Sequence, residues 1–449
     1  MGVGPLPPTL GPGSKRESPL PDVYLDNAAT TRPHPAVIET VAETMERVYG
    51  NPSSPHGKGN EAARILKAAR ERVSALIDAS PGEICFTSGG TESINTALKG
   101  VAHAYRNRGN HLVSTRIEHP ATLRTLDQLA EDGFEITLLE VDGEGFIDPA
   151  RLQESIRPTT ILVSIVVANN EVGTVQPLGE IRQVLEKARH ERARYERARH
   201  PGPARISAGS AGGRGSVAPP LLHLDAVQAA GKIPLRVREL GADLVSLSAH
   251  KINGPKGTGA LYIREGIRIR PMMAGGGQEE GLRSGTENVP AAAGFGKAAE
   301  LAAEWLPGAA GRLESCRARL VGRILAEIPG AILNGPSAGR VTLSGGAAPH
   351  IANLSLPGVP GEVMVRTLSE QGIFISTGSA CSTRKPDPSH VLQAMGCSGE
   401  RIKGALRFSF SPLTTMEEID LAVDALAAAA AELRLLTGTP TLSKRGASS

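Results

Sequence analysis

Apolar residues along this chain fall into short continuous runs separated by stretches with helical spacing. The runs Glu83-Ile84-Cys85-Phe86-Thr87, Ile161 to Val167, Leu221-Leu222-His223-Leu224-Asp225, Asp243 to Ser248 and Gly259-Ala260-Leu261-Tyr262-Ile263 read as strands. They do not alternate with polar residues, so they suit strands covered on both faces, as in parallel-rich sheets. Helical patterns over about 60–79, 119–132 and 177–199 lie between them. Strand–helix alternation predicts an α/β sheet flanked by helices on both sides. From about residue 291 the pattern changes. Two long Ala/Leu/Glu helices, about 290–306 and 311–328, precede short strands near Ala352–Leu356 and Ala405–Ser409 and a final helix at about 415–436. The chain is thus expected to hold a large α/β domain over 22–290 and a smaller α+β domain over 291–437.

Composition narrows the class. The 449 residues suffice for two or three sizeable cores, and 40% hydrophobic with 21% charged residues is ordinary for a globular protein. Aromatics are only 3%, so the cores must rest on Ala, Val, Leu and Ile. No apolar run reaches the ~18 residues of a membrane span, and the Pro- and Gly-rich start lacks signal-peptide character. Residues 1–21 and 438–449 read as disordered tails. None of the four cysteines, Cys85, Cys316, Cys381 and Cys397, is in a CxxC pair, which argues against a zinc site. Few cysteines and no signal predict reduced thiols in a cytoplasm. A net charge of +3 is too small to imply nucleic-acid binding.

One segment, 187–220, departs from the pattern as a basic, Gly/Ser-rich insertion. Eight Lys/Arg and two Asp/Glu fall between Lys187 and Arg214, ending in linker-like Ser207 to Gly213. It reads as a solvated helix extension with a disordered loop, or as a docking surface for an acidic partner.

Three pieces sit where an open α/β sheet places ligands, at the carboxyl ends of its strands. In Thr87-Ser88-Gly89-Gly90-Thr91-Glu92-Ser93 a strand passes through two glycines into a helix, whose N-terminus favours a phosphate. Asp225-Ala226-Val227-Gln228 puts an acid at a strand end, able to pair with a pyridinium nitrogen, although an ordinary helix cap uses the same residue. Ser248-Ala249-His250-Lys251 puts a lysine at the end of a buried strand, where desolvation makes its amine a nucleophile suited to a Schiff base. Phosphate anchor, acid and lysine in that order describe a pyridoxal 5'-phosphate site.

On these and further motifs the chain resembles the cysteine desulfurases of the NifS/IscS-like, class V group, with the aspartate-aminotransferase-like fold of pyridoxal-phosphate-dependent transferases. The matching text includes Tyr24 to Thr31, Gly50 to Ser54, Ser88 to Ser93, Glu118-His119, Asn169 to Gly173, His250 to Gly257, Arg283 to Thr286, Gly378 to Ser382 and Arg407 to Ser409. The resemblance implies roles. Lys251 would bond the cofactor. Thr91, Ser248, His250 and the amide of Gly90 would hold its phosphate. Thr286 would reach the phosphate of a second subunit's cofactor, hence a homodimer. His119 would stack on the ring and move protons, Asp225 would pair with the ring nitrogen, and Gln228 would touch the ring oxygen. Asn170 and Arg407 would bind the substrate carboxylate. Cys381, in a basic, aperiodic loop, would be the thiolate that takes sulfur from L-cysteine as a persulfide and passes it to an iron–sulfur scaffold or other sulfur carrier, leaving L-alanine.

Other readings remain open. The insertion before Leu221 and the stretch Gly275 to Asn288 are similar to selenocysteine lyases, whereas Gly378-Ser379-Ala380-Cys381-Ser382 favours the desulfurase. A binding protein of the same fold without catalysis is the alternative from another class. A dinucleotide oxidoreductase fits less well, because the glycines after Lys251 do not spell G-x-G-x-x-G.

Overall fold

The structure is a computed structural model and describes residues 22–199, 218–337, 341–378 and 388–437. The expected tails, most of the expected insertion and Cys381 lie outside the described residues.

Seven strands form the main sheet: β1 (Ile84–Thr87), β2 (His111–Thr115), β3 (Glu135–Leu139), β4 (Thr160–Val166), β5 (Leu221–Asp225), β6 (Leu244–Ser248) and β7 (Gly259–Ile263), in the order β1-β7-β6-β5-β4-β2-β3. Only β7 runs against its neighbours; the other four pairings are parallel. Every residue of β4 to β7 is buried, as expected of uninterrupted aliphatic runs covered on both faces. Gly259 lets β7 close against its surroundings: a Cβ there would lie 2.6 Å from the Leu247 carbonyl oxygen and 2.7 Å from Gly89 Cα. The sheet is mixed and mostly parallel, and the α/β class read from the sequence holds.

Two expectations change. The pair of helices at about 290–306 and 311–328 is a single helix, Val289–Glu327, with Pro307 inside it. Proline costs a helix interior a hydrogen bond and favours a break. Here the two halves are anchored in different cores: Phe295, Ala298 and Ala299 pack in the cluster under the main sheet, and Leu313, Leu320 and Ile324 in another. Pro307 itself is exposed between them. The basic stretch also differs in part. Residues 187–199 continue the helix Leu178–Arg199, but Arg189 ion-pairs with buried Asp243 at 2.5 Å and Arg192 donates to the carbonyls of Thr160 and Arg108. Those two cations are spent inside the fold.

The second cluster surrounds an antiparallel three-stranded sheet of Ile332–Asn334, Ile351–Ser355 and Ala405–Ser409, with the middle strand in the centre. The start of the described chain belongs here too. Val23–Tyr24 pairs with Ile373–Phe374, and Leu25 is buried in this cluster. Residues 26–31 then cross toward the main sheet, held by Ser409 at Ala28 N–H (2.8 Å) and by the His250 carbonyl at Thr31 N–H (2.9 Å). That crossing forms one wall of the site.

Candidate active site

Strands β1, β2, β4, β5 and β6 end on the same edge of the sheet, and the segments leaving those ends surround one cavity of about 280 Å³. After β1, the helix Gly90–Ala104 begins at the cavity. Gly89 enters it at φ +152°, a backbone state that favours glycine. A Cβ on Gly90 would lie 2.8 Å from Val227. The amides of the first turn lack helix partners and present partial positive charge, with the Thr91 side chain beside them.

After β2 comes His119, which caps the helix Pro120–Glu131 by accepting from Ala121 N–H at Nδ1 (3.1 Å). Burial, then Lys251 and His390, pushes its pKa down to about 4. The ring is therefore neutral near pH 7, and with Nδ1 accepting, its proton is on Nε2. After β5, Asp225 is buried and its pKa is raised to about 6 by desolvation, against the opposing effects of the Val227 amide and Lys251. Its Oδ1 accepts from Val227 N–H at 3.0 Å, so it also makes the ordinary turn contact. Gln228 donates to the Ala28 carbonyl at 2.8 Å. After β6, a 3-10 turn carries His250 and Lys251. The Lys251 amine donates to the carbonyls of Ala28 (2.5 Å) and Ala29 (2.7 Å). His250 Nδ1 lies 3.1 Å from Thr30 Oγ1, and burial first, then Lys251, lowers its pKa to about 4.

The second sheet contributes Arg407. It is buried, ion-paired to Asp26 at 2.6 Å, and donates to the Asn170 carbonyl at 3.0 Å. Its Nε has no partner among the described residues. Both terminal nitrogens of the guanidinium are thus engaged, Nη2 by Asp26 and Nη1 by the Asn170 carbonyl.

Ten residues singled out in the sequence line this cavity together: Gly90, Thr91, His119, Asn170, Asp225, Gln228, Ser248, His250, Lys251 and Arg407. Thr286 does not line it and is exposed. Cys381 lies outside the described residues, but Gly378, three residues before it, is in the lining. Sequence reasoning assigned no role to Asp26, Ile94, Val166 or the carbonyls of Ala28 and Ala29. The motif Tyr24 to Thr31 was the available signal; what it touches depends on a contact across more than 200 residues.

The residues fit pyridoxal phosphate. Buried polar atoms normally have partners, yet Ser248 Oγ, Gln228 Oε1 and Arg407 Nε on this lining have none among the described residues. A helix N-terminus with Thr91, Ser248 and neutral His250 suits a phosphate. An acid with no cation in ion-pair contact among the described residues suits a protonated ring nitrogen.

The aminotransferase class-V sequence profile matches residues 23–191 and 218–422. The chain belongs to the class-V aminotransferase family. This class-V protein is 40% identical over 404 residues to a cysteine desulfurase IscS of Clostridium botulinum, covering 90% of the chain and 93% of the relative. It is 41% identical over 416 residues to that of Dictyoglomus turgidum, covering 93% and 96%. A solved structure titled NifS-like protein superposes with a TM-score of 0.79 at 37% identity, over 92% of this chain and 100% of the other. As a member of this family the protein uses pyridoxal phosphate.

Proposed function

We propose that this protein is a cysteine desulfurase: it takes sulfur from L-cysteine, leaving L-alanine and a persulfide on Cys381. The observation that carries the reading is the convergence of Lys251, Asp225, His119 and Arg407 on one cavity whose wall includes Gly378, from which the chain runs on to Cys381.

Thr91, Ser248, His250 and the Gly90 amide would hold the cofactor phosphate, Asp225 its ring nitrogen, Gln228 its ring oxygen and His119 one ring face. Bound there, pyridoxal phosphate supplies an electron sink for the substrate's carbons. Arg407 and Asn170 orient the substrate carboxylate, with Asp26 holding the guanidinium in place beforehand. The Lys251 amine moves the proton at the substrate α-carbon, and the Nε2–H of His119 is positioned to donate one. The Cys381 thiolate attacks the substrate sulfur. An S–S bond forms as the C–S bond breaks, and the departing carbon keeps the electron pair and takes a proton, which yields alanine. Arg384 and Lys385 next to Cys381 in sequence favour its thiolate form.

The same proposal includes a homodimer, in which exposed Thr286 serves the other subunit's phosphate, and a protein sulfur acceptor such as an iron–sulfur scaffold. It also includes a division near residue 290 and a cytoplasmic setting. Among the described residues no helix is long and apolar enough to cross a membrane.

The test incubates the protein with L-cysteine, assays alanine and maps the persulfide by mass spectrometry, with selenocysteine run alongside. Alanine from cysteine with the added sulfur on Cys381, both lost in Cys381→Ser, is the expected result. Negligible alanine from cysteine, or alanine without a Cys381 persulfide, would overturn it.

A further inference from the structure

Behind the cavity, outside its lining, lies a second buried lysine. Lys232 is 3% exposed, and among the described residues no carboxylate lies within ion-pair distance of it. Its amine donates to the main-chain carbonyl of Lys251 at 2.6 Å. The groups that act on it or feel its charge are themselves basic: Lys251, His250 and His350. His350 is fully buried, and neither ring nitrogen has a partner among the described residues. An ammonium so placed is costly to bury and repels a second positive charge nearby. Burial first, then Lys251, brings the Lys232 pKa down to about 7. Among the described residues, the groups that interact with Lys251 also include Asp225, which favours its protonated form, and His119 and His250, which do not carry charge near pH 7.

We propose that Lys232 is a positioning residue for Lys251: it fixes the Lys251 main chain through the carbonyl, and its charge keeps the Lys251 nitrogen unprotonated at mildly acidic pH. As pH falls, Lys232 takes up a proton and opposes protonation of the nitrogen in front of it. Above the point where Lys232 is neutral the effect disappears, so it acts on the acid side. The inference rests on Lys251 being the cofactor's amine.

The experiment titrates the visible absorbance of the cofactor-loaded protein against pH. Lys232→Gln keeps a donor but removes the charge, and Lys232→Arg keeps both. The protonation midpoint of the cofactor-bonded Lys251 nitrogen is expected to rise in Lys232→Gln by at least about half a pH unit, about threefold in proton affinity. In Lys232→Arg it is expected to stay at or below the wild-type value. A purely structural lysine would lower thermal stability in both variants and leave the midpoint unmoved, which overturns the inference. Lys232→Met replaces Gln if Gln does not fold. If neither neutral variant folds, the wild-type titration decides: two coupled amines spread it beyond a one-proton curve, and a one-proton curve overturns the inference. A Lys251→Ala variant that kept the visible band would instead overturn the reading of Lys251 itself.

Discussion

The Arg407 guanidinium meets the Asp26 carboxylate at 2.6 Å, joining distant parts of the chain beside the cavity. Arg407 is 3% exposed and Asp26 20%. Removing one partner of a buried pair strands the other charge, at about 3–5 kcal/mol. With Asp26 partly exposed, Asp26→Ala is expected to cost about 2–3 kcal/mol in chemical denaturation. A substrate carboxylate on the same guanidinium replaces some of the lost charge. L-alanine should therefore raise the melting temperature of Asp26→Ala by more than it raises that of the wild type. Equal shifts would mean that the carboxylate is bound elsewhere.

Arg407 should also separate binding from chemistry. Lysine cannot reproduce the guanidinium's contacts to Asp26 and the Asn170 carbonyl together with a carboxylate. Arg407→Lys is expected to raise KM for cysteine at least about tenfold, the loss of one charge-assisted bond, with a smaller change in kcat. His119→Gln should do the reverse and lower kcat by about 10²-fold or more, with cofactor absorbance retained. An unchanged kcat would remove His119 from the proton transfers.

Much of this site was legible because its parts sit at strand ends with their own local patterns. Asp225 and Lys251 each come after an uninterrupted apolar run, and Gly89-Gly90 mark the turn into a helix. The contacts that complete it were not. The Asp26–Arg407 pair spans 381 residues, and Lys232 and His350 look like ordinary polar residues until burial is known. Strands β2 and β3, His111–Thr115 and Glu135–Leu139, carry polar residues and did not stand out from the sequence as strands. Pro307 misled for a different reason: local propensity favours a break there, and anchoring in two cores overrides it.

Buried histidines set an acid limit on stability. Burial is the leading cause in every case: His111, His119 and His250 fall to about 4, His223 to about 3, and His350 well below its usual value. In the unfolded chain each would protonate near 6.5. Their contribution is therefore fully present above about pH 6.5 and is lost as pH falls toward 4. Glu118, raised to about 8, Asp225, raised to about 6, and Glu171 and Asp243, both also raised by burial, act in the opposite sense. Their contribution is present below about pH 4 and lost as pH rises through the raised values. Five histidines still outnumber the four carboxyls between about pH 6.5 and 4.5, so the net effect in that window is small and follows the histidines. The urea midpoint of the cofactor-free protein is expected to fall steadily from about pH 6.5 downward, each net proton contributing about 1.4 kcal/mol per pH unit. A flat midpoint down to about pH 5 would contradict this balance.

Glu171 joins the two described flanks of the segment that carries Cys381. Its buried carboxyl accepts from Ser389 Oγ at 2.5 Å, and a Cβ on Gly378 would stand 3.3 Å from its Oε2. Ser389 is engaged twice, since its Oγ also caps the following helix at Leu392 N–H (3.1 Å). Gly378 sits at φ +91°, which an L side chain adopts at a cost of about 1–2 kcal/mol. Gly378→Ala should therefore shift the backbone at the cavity wall rather than fill free space. The cofactor contacts through Lys251, Asp225 and Thr91 come from other elements. The expected outcome is a visible cofactor band like that of the wild type with slower formation of the Cys381 persulfide, by about tenfold if most of that strain falls on the reacting geometry. Ser389→Ala should lower stability by about 1 kcal/mol through the lost cap and slow the same step less. If Gly378→Ala forms persulfide at the wild-type rate, the Glu171 junction does not govern how the Cys381 segment meets the site.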